Sequence, residues 1–177
     1  DVSTINFPVG DTRANGIAVQ VGAGGLLSAT FASSTTVSQA DILFDLTGCF
    51  TSDPSGASWF PIEPTRRLDT RMGIGLVGKL AGNTPRTQAL AGAQFLPSGA
   101  DGITGNLTVV NQTQKGYLSI TTSSTIPPDT STINFPKGDT RANGVFAALA
   151  SGVVTYIYGA APSNRTDAIL DLTGYFR

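Results

Sequence analysis

Apolar and polar residues alternate along most of this chain in short runs that stop at Gly, Pro, Asn or Ser. "GNLTVVNQTQKGYLSITTS" (Gly105 to Ser123) holds two β-rich runs around Asn111–Gly116, a spacing that predicts a hairpin. "GVFAAL" and "GVVTYIYG" are divided by Ala150-Ser151, which predicts a second tight turn. In the latter run Tyr156 and Tyr158 share one strand face, with Ile157 on the other. "DAILDLTGYF" (Asp167 to Phe176) closes the pattern as a strand. Asn15-Gly16 and Asn143-Gly144 read as turn formers with positive φ. Pro54, Pro61, Pro64, Pro97, Pro127, Pro128 and Pro162 are expected between strands. The best helix candidate, Arg86–Phe95, suits a strand equally well. Short strands at this spacing predict an all-β fold, an antiparallel β-sandwich or barrel-like module.

The pattern also recurs. "STINFPVGDTRANG" (Ser3–Gly16) and "STINFPKGDTRANG" (Ser131–Gly144) are identical at thirteen of fourteen positions, 128 residues apart. "DILFDLTGCF" (Asp41–Phe50) matches "DAILDLTGYF" in the same order, so about 48 residues are duplicated. A period of this length is that of a domain rather than of a solenoid unit. The expected organisation is the C-terminal half of a preceding module over 1–51 and a Pro/Ser/Gly-rich linker over 52–64. A complete β module follows over 65–177, with an N-half at 65–130 and a C-half at 131–177 that repeats 3–50. The missing first half is expected before Asp1. The alternative is one domain in which the duplicated unit packs pseudo-symmetrically and both C-halves clasp one N-half.

Composition narrows the function. Charged residues make up 13% of the 177, about half the usual share, and the net charge is −1. No basic run offers a route to nucleic acid or an anionic membrane surface. There is no histidine, which excludes Ser-His-Asp and Cys-His catalysis and His-ligated metals. No apolar stretch reaches the ~20 residues of a membrane helix. The single cysteine, Cys49, stands where the other copy has Tyr175 and reads as a buried, chemically inert thiol. Asn106, Asn111 and Asn164 begin Asn-x-Thr triplets, a weak signal in a Thr-rich chain.

Asp-Thr-Arg occurs three times, at Asp11–Arg13, Asp69–Arg71 and Asp139–Arg141. In an extended segment the Asp and Arg project to one side, and a guanidinium can grip a carboxylate through two hydrogen bonds. A carboxylate within an apolar strand is costly unless paired, so Asp45 and Asp171 need partners. The expected ion-pair network joins Arg141 to Asp171 or Asp167 and Arg13 to Asp45 or Asp41, with Asp69 and Arg71 at the seam between halves. Eleven of the twelve acids are Asp, a composition that calcium sites also use, but no Asp-x-Asp-x-Asp-Gly loop is present. No cofactor is expected. Trp59, Tyr117, Tyr156 and Tyr158 are the candidate aromatic platform for a glycan, with Trp59-Phe60 alternatively anchoring the linker to the module.

The segments "PIEPTRRLDTR" (Pro61–Arg71), "STINFP-x-GDTRANG" and "DLTGYF" together resemble a family of tandem β-repeat modules in large secreted proteins of actinobacteria and Chloroflexi-like bacteria. Such a module opens with an "R-x-LDTR" segment and closes with a "GYF" strand, and the resemblance spans nearly the whole chain. It implies a non-catalytic β domain, found in tandem or beside cell-wall or polysaccharide-acting enzymes, with no catalytic residues to carry over. The expected function is an extracellular structural or adhesive protein that self-assembles by strand complementation, its partners being copies of itself. The competing expectation is a glycan- or cell-wall-binding module.

Overall fold

The computed structural model of the protein describes residues 3–93 and 95–177. Asp1 and Val2, the first positions of the expected unit 1–51, lie outside the described residues, as does Gln94 of the helix candidate.

Residues 3–58 run as extended and irregular chain, with one 3-10 turn at Ala23–Gly25 and no strand. From there the described residues fold into nine strands: β1 (Trp59–Asp69), β2 (Leu80–Ala81), β3 (Arg86–Ala89), β4 (Gly102–Val110), β5 (Gly116–Thr121), β6 (Ile133–Phe135), β7 (Arg141–Ala148), β8 (Val153–Gly159) and β9 (Arg165–Phe176). They form two antiparallel sheets packed as a sandwich. One has the order β1-β9-β4-β7, with β2 also on β9, and the other β3-β8-β5-β6. The strands form where alternation puts apolar side chains on the inner face. Leu170 and Leu172 of β9, Leu107 and Val109 of β4, and Val154, Tyr156 and Tyr158 of β8 share one buried cluster. Asp171, between the two leucines, points out.

Several expectations are corrected. The runs on either side of Asn111–Lys115 are not a hairpin: β4 pairs with β7 and β9, while β5 pairs with β8 and β6 in the other sheet. The connection is a corner that crosses the sandwich, fastened by Gln112, whose buried side chain donates to the carbonyls of Pro136 and Asp139. Periodicity reveals strands, but it does not name their neighbours. Ala150–Val153 is a tight turn, closed by paired backbone hydrogen bonds of 3.0 Å with Ser151 and Gly152 at φ 50° and 79°. Yet β7 and β8, which it joins, also belong to different sheets.

The stretch 52–64 is only partly linker, because β1 begins at Trp59 and contains Pro61 and Pro64. The prolines are tolerated because β1 is an edge strand, and its register against β9 slips between Pro61 and Thr65. Neither Asn-Gly pair adopts positive φ. Asn143-Gly144 lies inside β7, paired with Leu107 and Asn106 of β4, because the Asn side chain is used for a long-range hydrogen bond instead. Arg86–Phe95 supplies β3 and a following turn rather than a helix. The module therefore spans 59–177. The first copy contributes no strand to either sheet.

Candidate functional site: the contact between the two copies

The duplicated motif folds on itself in the same way in both copies. In the second, Arg141 donates Nε to Asp139 (2.6 Å) and Nη1 to the carbonyl of Asn134 (3.3 Å), and Asn143 Nδ2 donates to the carbonyl of Thr132 (2.6 Å). In the first, Arg13 donates Nε to Asp11 (2.8 Å) and Nη1 to the carbonyl of Asn6 (2.9 Å), and Asn15 Nδ2 donates to the carbonyl of Thr4 (2.8 Å). Asn6 and Asn134 each reach back to the serine three residues before, at 2.9 and 3.1 Å. Arg and Asn are long polar side chains with several donors, able to tie a loop to the strand before it without a core beneath. The motif thus keeps its shape in the first copy, which has no sheet around it.

The two copies then touch through this motif. Arg141 Nη2 donates to both carboxylate oxygens of Asp11 (2.8 and 2.7 Å), and its Nη1 to the carbonyl of Thr12 (2.9 Å). The backbone N–H of Gly16 donates to Asn143 Oδ1 (2.8 Å). Gly16 lies so close to Gly144 that a Cβ there would overlap the Gly144 carbonyl oxygen; any other residue would push the segments apart. Both segments run in the same direction, so the motif meets its own duplicate nearly in register. Thirty-four residues further along, Phe50 packs against its counterpart Phe176 with ring centroids 6.1 Å apart. Hydrogen bonds from Arg141, then from Arg13, hold the Asp11 carboxyl below the usual carboxylate range.

The expected ion pairs are largely redrawn. Arg141 pairs with Asp139 and Asp11, not with Asp171 or Asp167. Arg13 pairs with Asp11, and among the described residues Asp41 and Asp45 make no salt bridge. Asp171 is gripped by Arg66, through Nε at 2.8 Å and Nη2 at 3.0 Å, because the β1–β9 register sets those two residues opposite each other. Arg71 closes a local pair with the buried Asp69 (2.7 Å), and its hydrogen bonds pull the Asp69 carboxyl down to about 2. Burial alone would raise Asp167, but hydrogen bonds from Asn111, Lys79 and Thr70 outweigh it and lower its pKa. Nothing in the sequence pattern singled out Arg66 or Lys79; both roles follow from strand register.

The proposed aromatic platform is not assembled. Tyr156 and Tyr158 are fully buried, their hydroxyls donating to Gln88 Oε1 (3.0 Å) and to the carbonyl of Gln114 (2.8 Å). Burial raises the pKa of both. Tyr117 lies over Gly159 on the other sheet from Trp59. Trp59 donates Nε1 to Thr104 Oγ1 (3.1 Å), and Phe60 stacks on Tyr175 (5.2 Å), so the pair anchors the chain at the start of the module. Trp59 helps line a shallow apolar groove of about 370 Å³ with Phe50, Thr104, Phe146, Thr173 and Phe176. Cys49 is exposed rather than buried: its segment forms no strand, and even its counterpart Tyr175 in β9 is only half-buried. Among the described residues, no three Asp, Glu, Cys or His side chains converge as a metal site.

The other feature that sets the first copy apart is exposed apolar surface. Leu170 and Leu172 are 0% exposed in β9, the strand flanked by β1 and β4. Their counterparts Phe44 and Leu46, in nearly the same sequence, are 58% and 77% exposed.

No protein-family model and no curated protein matches the chain. Among solved structures, it is similar to the coat protein dimer of Tobacco streak virus, at 11% identity and a TM-score of 0.34 over 69% of this chain and 88% of that one. A second structure of that coat protein gives 10%, 0.33, 69% and 89%. Likeness at that level assigns this chain to no family.

Proposed function

We propose that the protein is a non-catalytic, extracellular structural or adhesive module that self-assembles, the uncovered strand sequence at 41–50 adding to a sheet of another copy. The observation that carries this reading is the contrast between the two copies. The sequence that forms β9 in one copy lies uncovered in the other, with Ile42, Leu43, Phe44, Leu46 and Phe50 all exposed. A contiguous apolar run of this kind marks an interaction surface, and an unpaired strand sequence is a template for pairing with another chain. Strand addition draws its affinity from main-chain hydrogen bonds and its specificity from alternate side chains. The low charge and the absence of histidine agree with a structural role rather than a catalytic one.

The test is sedimentation velocity on the intact chain over a range of concentrations. Species at multiples of 18.2 kDa are expected. They should collapse to single chains on Phe44→Asp with Leu46→Asp, two changes that touch nothing in the sandwich core. A single chain at every concentration, with amides of residues 41–50 as protected as those of β9, would overturn the proposal.

A further inference from the structure

We infer that Asp11–Gly16 is a self-recognition element, and that the Arg141–Gly144 edge of β7 is its docking site on a second copy of this chain as well as on its own. This deepens the self-assembly reading and rests on it, naming a second joint that the uncovered strand at 41–50 needs in order to hold two copies together.

Three observations carry the inference. The contact is chemically specific: a guanidinium spans both oxygens of Asp11 and the Thr12 carbonyl, an amide oxygen accepts from the Gly16 N–H, and two glycines allow the backbones to meet. It uses groups that the local fold leaves over. Arg141 still has Nη2 to offer after its Nε and Nη1 hold Asp139 and Asn134, and Asn143 has its oxygen after its nitrogen holds Thr132. It is also transferable. Residues 17–58, which connect the element to β1, contain no strand. The element keeps its own shape through Arg13 and Asn15, so it needs no sheet to present Asp11 and Gly16.

Because the segments run parallel and nearly in register, the donor surface (Asp11, Thr12 carbonyl, Gly16) differs from the acceptor surface (Arg141, Asn143, Gly144). Contacts between unlike surfaces are heterologous, and between chains they build a head-to-tail series. The element of one chain can leave its own β7 for that of a neighbour without loss of any contact, which is the condition for domain exchange.

A charge-swap experiment on the intact chain tests this, with mass read by light scattering. Asp11→Arg sets two guanidinium groups against each other, and Arg141→Asp sets two carboxylates together, so each variant alone should run near 18.2 kDa. An equimolar mixture offers opposite charges across the joint and should form complexes containing both variants in equal amounts. Gly16→Ala is the control for folding. It adds one methyl to an exposed segment, where the atoms it would meet are the backbone of Gly144 and Val145, and it should shift the wild-type distribution to single chains. A mixture that stays near 18.2 kDa, or a Gly16→Ala chain that assembles like wild type, overturns the joint. If the wild type assembles and these variants do too, the joint fails while strand complementation stands. If the wild type never exceeds one chain, self-assembly itself fails.

Discussion

The two copies of Asp-Leu-Thr-Gly offer a test in which sequence is held constant and only the environment differs. Leu172 is 0% exposed in β9, set between Thr65 of β1 and Gly105 of β4, whereas Leu46, with the same flanking residues, is 77% exposed. Truncating Leu172 to Ala removes a fully buried branched group. Gly105 has no side chain with which to fill the space, so the loss lies well inside the range for such cavities, about 3–4 kcal/mol. For a module of this size, that lowers the melting temperature by on the order of 10 °C. Leu46→Ala removes a group that water already surrounds and should change stability by less than about 0.5 kcal/mol. Urea denaturation followed by tryptophan fluorescence reads both, since Trp59 lies at the start of β1. The measurement belongs at the lowest usable concentration, where chains are separate. Equal losses for the two variants would mean that the first copy packs as a strand too, and the contrast drawn between the copies would be wrong.

Three further outcomes follow from the geometry. Asp69, Asp167 and Asp11 all have folded pKa values below their unfolded ones, so their contribution to stability is present above about pH 4 and is lost as pH falls through the folded values, about 2 for Asp69; urea midpoints below pH 5 should fall with proton uptake on unfolding. Tyr156 and Tyr158 have raised values, so in a spectrophotometric titration their absorbance change should appear only when alkali unfolds the module, and a smooth ionisation of all four tyrosines near pH 10 would refute their burial. Arg66→Met leaves Asp171 without its two-bond partner on β1 and weakens the grip on the buried Asp69; a loss of about 1–2 kcal/mol is expected in thermal melts, and no loss would show that β1 is held by backbone pairing alone.

What the sequence revealed depended on how local the governing physics was. Alternation made the strands visible, and the same period showed that Asp171 faces away from Leu170 and Leu172. That Asp171 needs a partner was therefore legible; that the partner is Arg66 was not. The choice depends on the register between β1 and β9, two strands separated by almost the whole module. The hairpin expected around Asn111–Gly116 failed for the same reason, since a corner between sheets and a turn within one sheet use similar residues. Tyr156 and Tyr158 were misplaced because their burial depends on Gln88 and the Gln114 carbonyl, acceptors contributed by distant segments. The repeat was plain, and it did lead to the candidate site, but through an unforeseen route: Arg141 answers to the duplicate of its own Asp.

The prolines of β1 bear on more than where a linker ends. Pro61 and Pro64 remove two N–H groups from one margin of the five-stranded sheet, and the register slip beside them bends that margin. The opposite margin, β7, carries no proline, and beside it lies the Asp11–Gly16 segment. A sheet blunted on one side and receptive on the other can be extended in only one direction. The module therefore has a polarity written into its backbone: if copies join as proposed, successive units face the same way and the two ends of the series behave differently.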